Sequence, residues 1–236
     1  MRVWLVVGGL GLVVCLLCVR QVYNSIARPG PEPSRSQREF AAFFPENTVV
    51  CYRWTEVDVG SSDKNQGGGL AFLRVGNRVF SKAWPNYGRE WPSVEGAGVF
   101  SDARSLSIAY RSADITHDFY YAQCDFVFAT DGESITCTFK QKINDPSVTA
   151  LSPGSARASR LAEATDDCQR HIRALQQRAR EAVEVVKDSE HCDVLHWQRA
   201  HAEYTAEYEG KTYHFCCPAC LSVFVANPGV YVHRRK

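Results

Sequence analysis

From about residue 47 to residue 143, apolar and polar positions alternate with a period of two rather than 3.6. That is the pattern of strands with one buried face. Strands are expected at 48–59, 70–75, 78–84, 105–111, 118–129 and 134–142. Breaks rich in Gly, Asn and Asp separate them, at 63–69, 76–77 and 131–132. The last break marks the clearest hairpin. On its first strand Tyr120, Ala122, Cys124, Phe126 and Phe128 share a face, and on its second Ile135, Cys137 and Phe139 do. With Asp131-Gly132 as the turn, Cys124 opposes Phe139 and Cys137 opposes Phe126. The two cysteines are then diagonal neighbours, placed either for a disulfide or as two buried apolar thiols.

Beyond residue 150 the period lengthens. Ser152-Pro153 has the form of an N-cap followed by proline at the first helical position. A stretch rich in Ala, Arg, Glu and Gln follows, to about Lys187. Leu161, Cys168, Leu175 and Ala182 recur every seven residues, and Thr165, Ile172, Ala179 and Val186 repeat at the same interval, offset by four. This predicts a helix over 152–188 with one narrow apolar stripe. Its residues are too small for a stable coiled coil, so the stripe is expected to pack on its own chain. Cys168 lies on the stripe with His171 beside it, which makes a core role more natural than a ligand pair.

The chain opens differently. Residues 3–19 carry no charge and are bounded by Arg2 and Arg20. The run reaches the lower edge of the length needed to span a bilayer. It reads as a membrane anchor or, with Ser25-Ile26-Ala27 before a cut at Arg28, as a signal peptide. Either reading puts the folded part outside the cytoplasm, periplasmic or extracellular, and secreted if the segment is cleaved. Residues 28–38 are rich in Pro, Ser and Arg and read as a linker.

The expected fold class is therefore α+β: an N-terminal membrane helix, an antiparallel β-rich middle domain, a long connecting helix and a small C-terminal module. The corresponding boundaries are 1–27 for the anchor, 28–46 for the linker, 47–146 for the β domain, 152–188 for the helix and 189–236 for the module.

A net charge of +1 over 236 residues argues against nucleic acid as a partner. The basic end His233-Arg234-Arg235-Lys236 is too short to change that. The aromatic group Trp84-Pro85-Asn86-Tyr87 with Trp91-Pro92 is expected to close one end of the β domain. The middle region has no nucleophile–base pair, phosphate loop or paired carboxylates at motif spacing, and His117-Asp118 alone is weak. The chain is accordingly not expected to be an enzyme.

The ten cysteines fall into separate groups, and Cys192, Cys216, Cys217 and Cys220 crowd the end. Two strand-like segments, 202–208 and 212–216, flank the turn Glu209-Gly210-Lys211. They run into Cys217-Pro218-Ala219-Cys220 and a short helix ending at Asn227-Pro228. A cysteine at a helix start is biased toward thiolate by the helix dipole and free amides. Thiolates are the ligands soft and borderline metals prefer. A segment of this size also buries too little surface to fold easily without a metal or cross-link.

Tyr208-Glu209-Gly210-Lys211-Thr212-Tyr213-His214-Phe215-Cys216, then Cys220, Phe224, Asn227-Pro228 and Tyr231, resembles the YHS domain, a relative of the TRASH metal-binding domains. Cys192 lies 24 residues before Cys216, where the family places its first cysteine. The resemblance implies that Cys192, Cys216 and Cys220 are metal-site cysteines. Asp193-Val194 stands where the family often has Gly-Met, and Cys217 is an additional thiol. Cys217, His214 or His191 could supply a fourth ligand. The expected function is a membrane-anchored, extracytoplasmic protein that handles, delivers or senses copper or zinc, with a protein partner for transfer. Two alternatives stand beside it: a thiol–disulfide redox protein using Cys217 and Cys220, and a partner-binding β domain carrying a structural zinc.

Overall fold

The computed structural model describes residues 44–58, 68–85, 93–102, 104–112, 121–142, 151–163, 165–184 and 190–232. Eight strands form a closed antiparallel barrel. They are β1 (Val49–Asp58), β2 (Gly68–Val75), β3 (Arg78–Pro85), β4 (Val94–Phe100), β5 (Ser105–Ser112), β6 (Tyr121–Phe128), β7 (Ser134–Lys142) and β8 (Ser152–Arg160). Each pairs with the next, and β8 returns to β1, so the barrel has no free edge. The pairing of β1 with β8 shifts register between Trp54 and Glu56.

The period-two pattern explains why this sheet closes. Inward positions carry Val50, Tyr52, Leu70, Phe72, Leu106, Ile108, Tyr110, Phe126, Phe128 and Ile135, which form one buried cluster with Phe44 at its end. Phe72 meets Phe126 edge to face at a centroid distance of 5.2 Å, and Phe44 meets Phe128 at 5.8 Å. The interior is a packed core rather than a channel. Tyr52 donates a hydrogen bond from its hydroxyl to the Gly132 carbonyl in the β6–β7 turn at 2.9 Å. Burial pushes the Tyr52 phenol up to about 12.

The β6–β7 hairpin has the register expected from the Asp131-Gly132 turn: Cys124 faces Phe139 and Cys137 faces Phe126. Both cysteines are free thiols. The pair shares a hydrogen bond, which, together with burial, pushes the Cys124 thiol well above its ordinary value.

The α+β expectation is corrected by this closed barrel, and so is the helix over 152–188. Residues Ser152–Arg160 are the closing strand, and the helix α1 begins only at Asp166 and runs to Glu184. Pro153 sits inside a strand, and Ala156 and Ala158 fill inward positions between β1 and β7. Strand β4 was also not expected, because its inward residues Gly96 and Gly98 have no hydropathy to alternate. These small residues serve the barrel by making room. A side chain at Gly154 would strike the Phe139 ring, and one at Gly96 would meet Tyr110 and Ile108.

The expected membrane helix at 3–19, the linker up to residue 43, the turn residues His117-Asp118 and the Asn86–Pro92 aromatics lie outside the described residues, while Phe44, within the expected linker, is buried in the barrel core. Among the described residues, no helix is long and apolar enough to cross a membrane.

The outer face of the barrel carries a second core. Cys51, Ala71, Leu73, Phe80, Ala97, Val99 and Ala109 point outward and pack with Cys168, Leu175 and Ala179 of α1 and with the C-terminal residues. The heptad stripe thus packs on its own chain, against β2 and β3. Cys168 is joined to Cys51 of β1 by a disulfide with a Cα–Cα distance of 6.5 Å. His171 stacks on Trp84 at 4.4 Å. Glu95 is buried between Lys82 at 3.2 Å and Arg178 at 3.0 Å, tying β3 and β4 to the helix. The remaining elements are β9 (His201–Tyr208), β10 (Lys211–Phe215), α2 (Pro218–Ala226) and α3 (Gly229–Val232). β9 and β10 make a two-stranded antiparallel sheet, with α2 packed against it and against β5 and β6.

Candidate metal centre

Gly210, at φ +69°, turns β9 into β10, and β10 delivers Phe215 and Cys216 into the core. Cys217 follows in an extended conformation as the N-cap of α2, and Pro218 occupies the start of the helix. Proline fits there because the first turn has no use for its missing N–H. Cys220 lies one turn on. Tyr213, Phe215 and Tyr231 close around Phe224 at centroid distances of 4.6, 5.0 and 5.7 Å. This aromatic packing fixes the angle between hairpin and helix, and with it the directions of the cysteines.

Cys192 arrives on the loop before β9. Its N–H donates to the Gln198 carbonyl at 2.9 Å, and the Leu195 N–H donates to its sulfur at 3.3 Å. Asp193 clamps this loop to β10 from both sides. Its N–H donates to the His214 carbonyl at 2.8 Å, and its carboxylate accepts the His214 N–H at 2.7 Å. The departure from the family's usual Gly-Met therefore places a structural tie beside the first cysteine.

The four cysteines are all buried and all free. Cys192, Cys216 and Cys220 sulfurs lie within 4.8 Å of one another. Cys217 joins the same group, 3.8 Å from Cys216 and 3.5 Å from Cys220, and Cys216 to Cys220 is 3.6 Å. A metal–sulfur bond of ~2.3 Å with tetrahedral angles gives sulfur–sulfur edges of about 3.8 Å. The donor set and its spacing fit a soft metal. The ligand group is made of cysteine: His214 is half-buried on β10 and His191 is exposed in a bridge with Arg199, and both lie outside it.

Charge in the cluster is uneven. Burial raises the Cys192 thiol, but hydrogen bonds from Cys216, Cys220 and the Leu195 N–H bring it well below its ordinary value. Hydrogen bonds from Cys216 and Cys220 also hold Cys217 low. Hydrogen bonding to Cys192 pushes Cys216 well up, and burial does the same to Cys220.

Two arginines from the barrel complete the surroundings, and neither was singled out from the sequence. Arg78, at the start of β3, is 2% exposed and donates from Nη2 to the Val194 carbonyl at 2.7 Å. Its guanidinium lies over Phe80 at 5.2 Å and Tyr231 at 5.3 Å. Burial lowers its pKa, and nearby Tyr231, Cys192, Asp193 and Cys220 act in the other direction. Arg111 on β5 donates to the Cys216 carbonyl at 3.1 Å. Arg78 has the parity of Phe80 and Trp84, on the barrel's outer face, which in a sequence reads as a charge turned to water.

Residues 189–235 match the family model of the YHS domain. The C-terminal module is a YHS domain, and no family is recognised upstream of it. No curated protein matches the chain. A solved structure described as EF1p2_mFAP2b bound to DFHBI is similar over 54% of this chain and 100% of its own, at 14% identity and a TM-score of 0.39. Nothing further rests on that likeness.

Proposed function

We propose that this chain is an extracytoplasmic metal-handling protein that binds copper or zinc through the thiolates of its YHS domain. The observation that carries the reading is the burial of Cys192, Cys216, Cys217 and Cys220 as free thiols with separations down to 3.5 Å. A metal bound there would be held as a thiolate complex shielded from water. Cys192, Cys216 and Cys220 are its ligands, with Cys217 beside them. The chain's other groups prepare this charge. The Leu195 N–H and the Arg78 guanidinium favour thiolate at Cys192, and Asp193 fixes the loop that carries it. The proposal assigns the protein no reaction of its own; its role is delivery or sensing, with a protein acceptor.

The placement outside the cytoplasm draws support from the Cys51–Cys168 disulfide, since such bonds persist in oxidising compartments. The uncharged segment 3–19 would serve as its membrane anchor.

The test is metal content by mass spectrometry with free-thiol counting, on the parent and on a Cys216→Ser/Cys220→Ser variant. About one equivalent of copper or zinc in the parent, lost in the variant, supports the reading. Metal-free protein whose thiols titrate only after reduction sinks it. That second outcome would favour a thiol–disulfide role for Cys217 and Cys220, which the 3.5 Å separation at the start of α2 makes a specific alternative.

A further inference from the structure

The four sulfurs are not connected as a closed tetrahedron. The Cys192 sulfur lies within 4.8 Å of those of Cys216 and Cys220. Cys217 hydrogen-bonds to the same two, at 3.8 and 3.5 Å. The set that lies within 4.8 Å throughout is Cys192, Cys216 and Cys220, with Cys217 beyond it. This connectivity draws two triangles that share the 3.6 Å edge between Cys216 and Cys220.

The two outer corners have different surroundings. Cys192 is held by the loop carbonyls and amides and faces the buried Arg78 guanidinium from the barrel wall. Cys217 is the N-cap of α2 and interacts with Tyr121 of β6 and Tyr204 of β9, both only half-buried. Both corners are buried, but the Cys192 corner is set against the barrel wall, whereas the Cys217 corner stands at the start of α2 beside half-buried tyrosines.

We propose that the cluster holds two overlapping three-thiolate positions for a soft monovalent ion such as Cu(I). The inner position is Cys192, Cys216 and Cys220, and stores the ion. The outer one is Cys216, Cys217 and Cys220, and hands it on. This rests on the metal-handling function above. Transfer is a ligand exchange: the Cys217 sulfur–metal bond forms as the Cys192 sulfur–metal bond breaks. No electron moves and the ion keeps its oxidation state. Cys217 enters as a thiolate and Cys192 leaves as one, so charge and protons balance without a proton transfer. An acceptor thiolate then displaces Cys217 in the same way.

The full-length chain, loaded with Cu(I) and mixed with the chelator bicinchoninate, tests this by the rate of copper release. Cys217→Ser is expected to keep one Cu(I) per chain and to release it at least about tenfold more slowly, a barrier ~1.4 kcal/mol higher. Cys192→Ser is expected to keep copper and release it faster than the parent. Cys216→Ser, which breaks the shared edge, is expected to lose it. Retained near-ultraviolet circular dichroism of the barrel aromatics and an intact Cys51–Cys168 bridge show that each variant is folded. The proposal is overturned if Cys217→Ser loses copper as completely as Cys216→Ser, because the four sulfurs then act as one closed site. It is also overturned if Cys217→Ser releases copper at the parent's rate or faster. A folded parent that takes up neither copper nor zinc overturns the metal-handling function itself, which separates the two failures.

Discussion

The barrel interior and the cysteine cluster are both buried, but they are held by different physics. The interior is Phe, Tyr, Leu and Ile around a closed sheet, and its stability comes from removing apolar surface from water. Its two thiols, Cys124 and Cys137, behave as small apolar groups there. The C-terminal module surrounds four thiols with a hairpin, a nine-residue helix and a borrowed barrel wall. Buried thiolates cost free energy unless they are hydrogen-bonded or bound to a metal. One region can therefore fold on its own chemistry, while the other leans on a support and, on the proposed function, on a bound metal. The support is the outward face of the barrel, where small residues such as Ala97 and Ala109 belong to the same apolar cluster as the module, whose α2 packs on β5 and β6.

The largest effect should come from cutting the module's metal ligands while sparing the barrel. Cys216→Ser/Cys220→Ser is expected to lose its metal almost entirely, read as metal per chain. The near-ultraviolet circular dichroism of the barrel aromatics should persist. Loss of that signal along with the metal would show that the two regions fold as one unit.

Next in size is the covalent tie between the barrel and α1, the helix that leads into the module. The Cys51–Cys168 disulfide closes a span of 117 residues. Removing it as Cys51→Ser/Cys168→Ser is expected to cost ~4 kcal/mol, measured by urea unfolding. A loss well below 1 kcal/mol would mean that the packing of Leu175 and Ala179 already holds α1 in place.

A smaller change should strike the barrel alone. Gly154→Val pushes a side chain against the Phe139 ring and is expected to destabilise by ~1–3 kcal/mol with metal content unchanged. If metal is lost as well, strain crosses from the interior to the outer face.

Acidity gives the mildest probe. Cys216 and Cys220 hold their protons well above the ordinary thiol value, because they hydrogen-bond to anionic neighbours and are buried. A metal must displace those protons. Affinity should therefore fall as pH falls, with up to about two protons released per metal near neutrality. A competition titration at several pH values reads the slope, and a flat profile would contradict this assignment of the protons.

Where the sequence was legible, a single local signal carried the answer. The β6–β7 hairpin could be paired residue by residue, because large apolar side chains alternate on both strands around Asp131-Gly132. The cysteine cluster was visible from the spacing of Cys192, Cys216 and Cys220 within a YHS pattern. Strands β4 and β8 were not legible. Their inward positions hold Gly and Ala opposite bulky partners, so the fit is a property of two strands and neither shows it alone. His214 read as a candidate ligand from its place on β10, yet the three-dimensional group it could have joined is made of cysteine alone.

The chain by itself thus determined the alternating strands, the apolar helix stripe and the thiol-rich end, because each depends on residues close together along the backbone. Tertiary structure alone decided that the strands close into a barrel, that Cys51 meets Cys168, and that Arg78 stands behind Cys192. Those contacts join residues more than a hundred positions apart. Each depends on how distant segments pack against one another, which no local pattern along the backbone specifies.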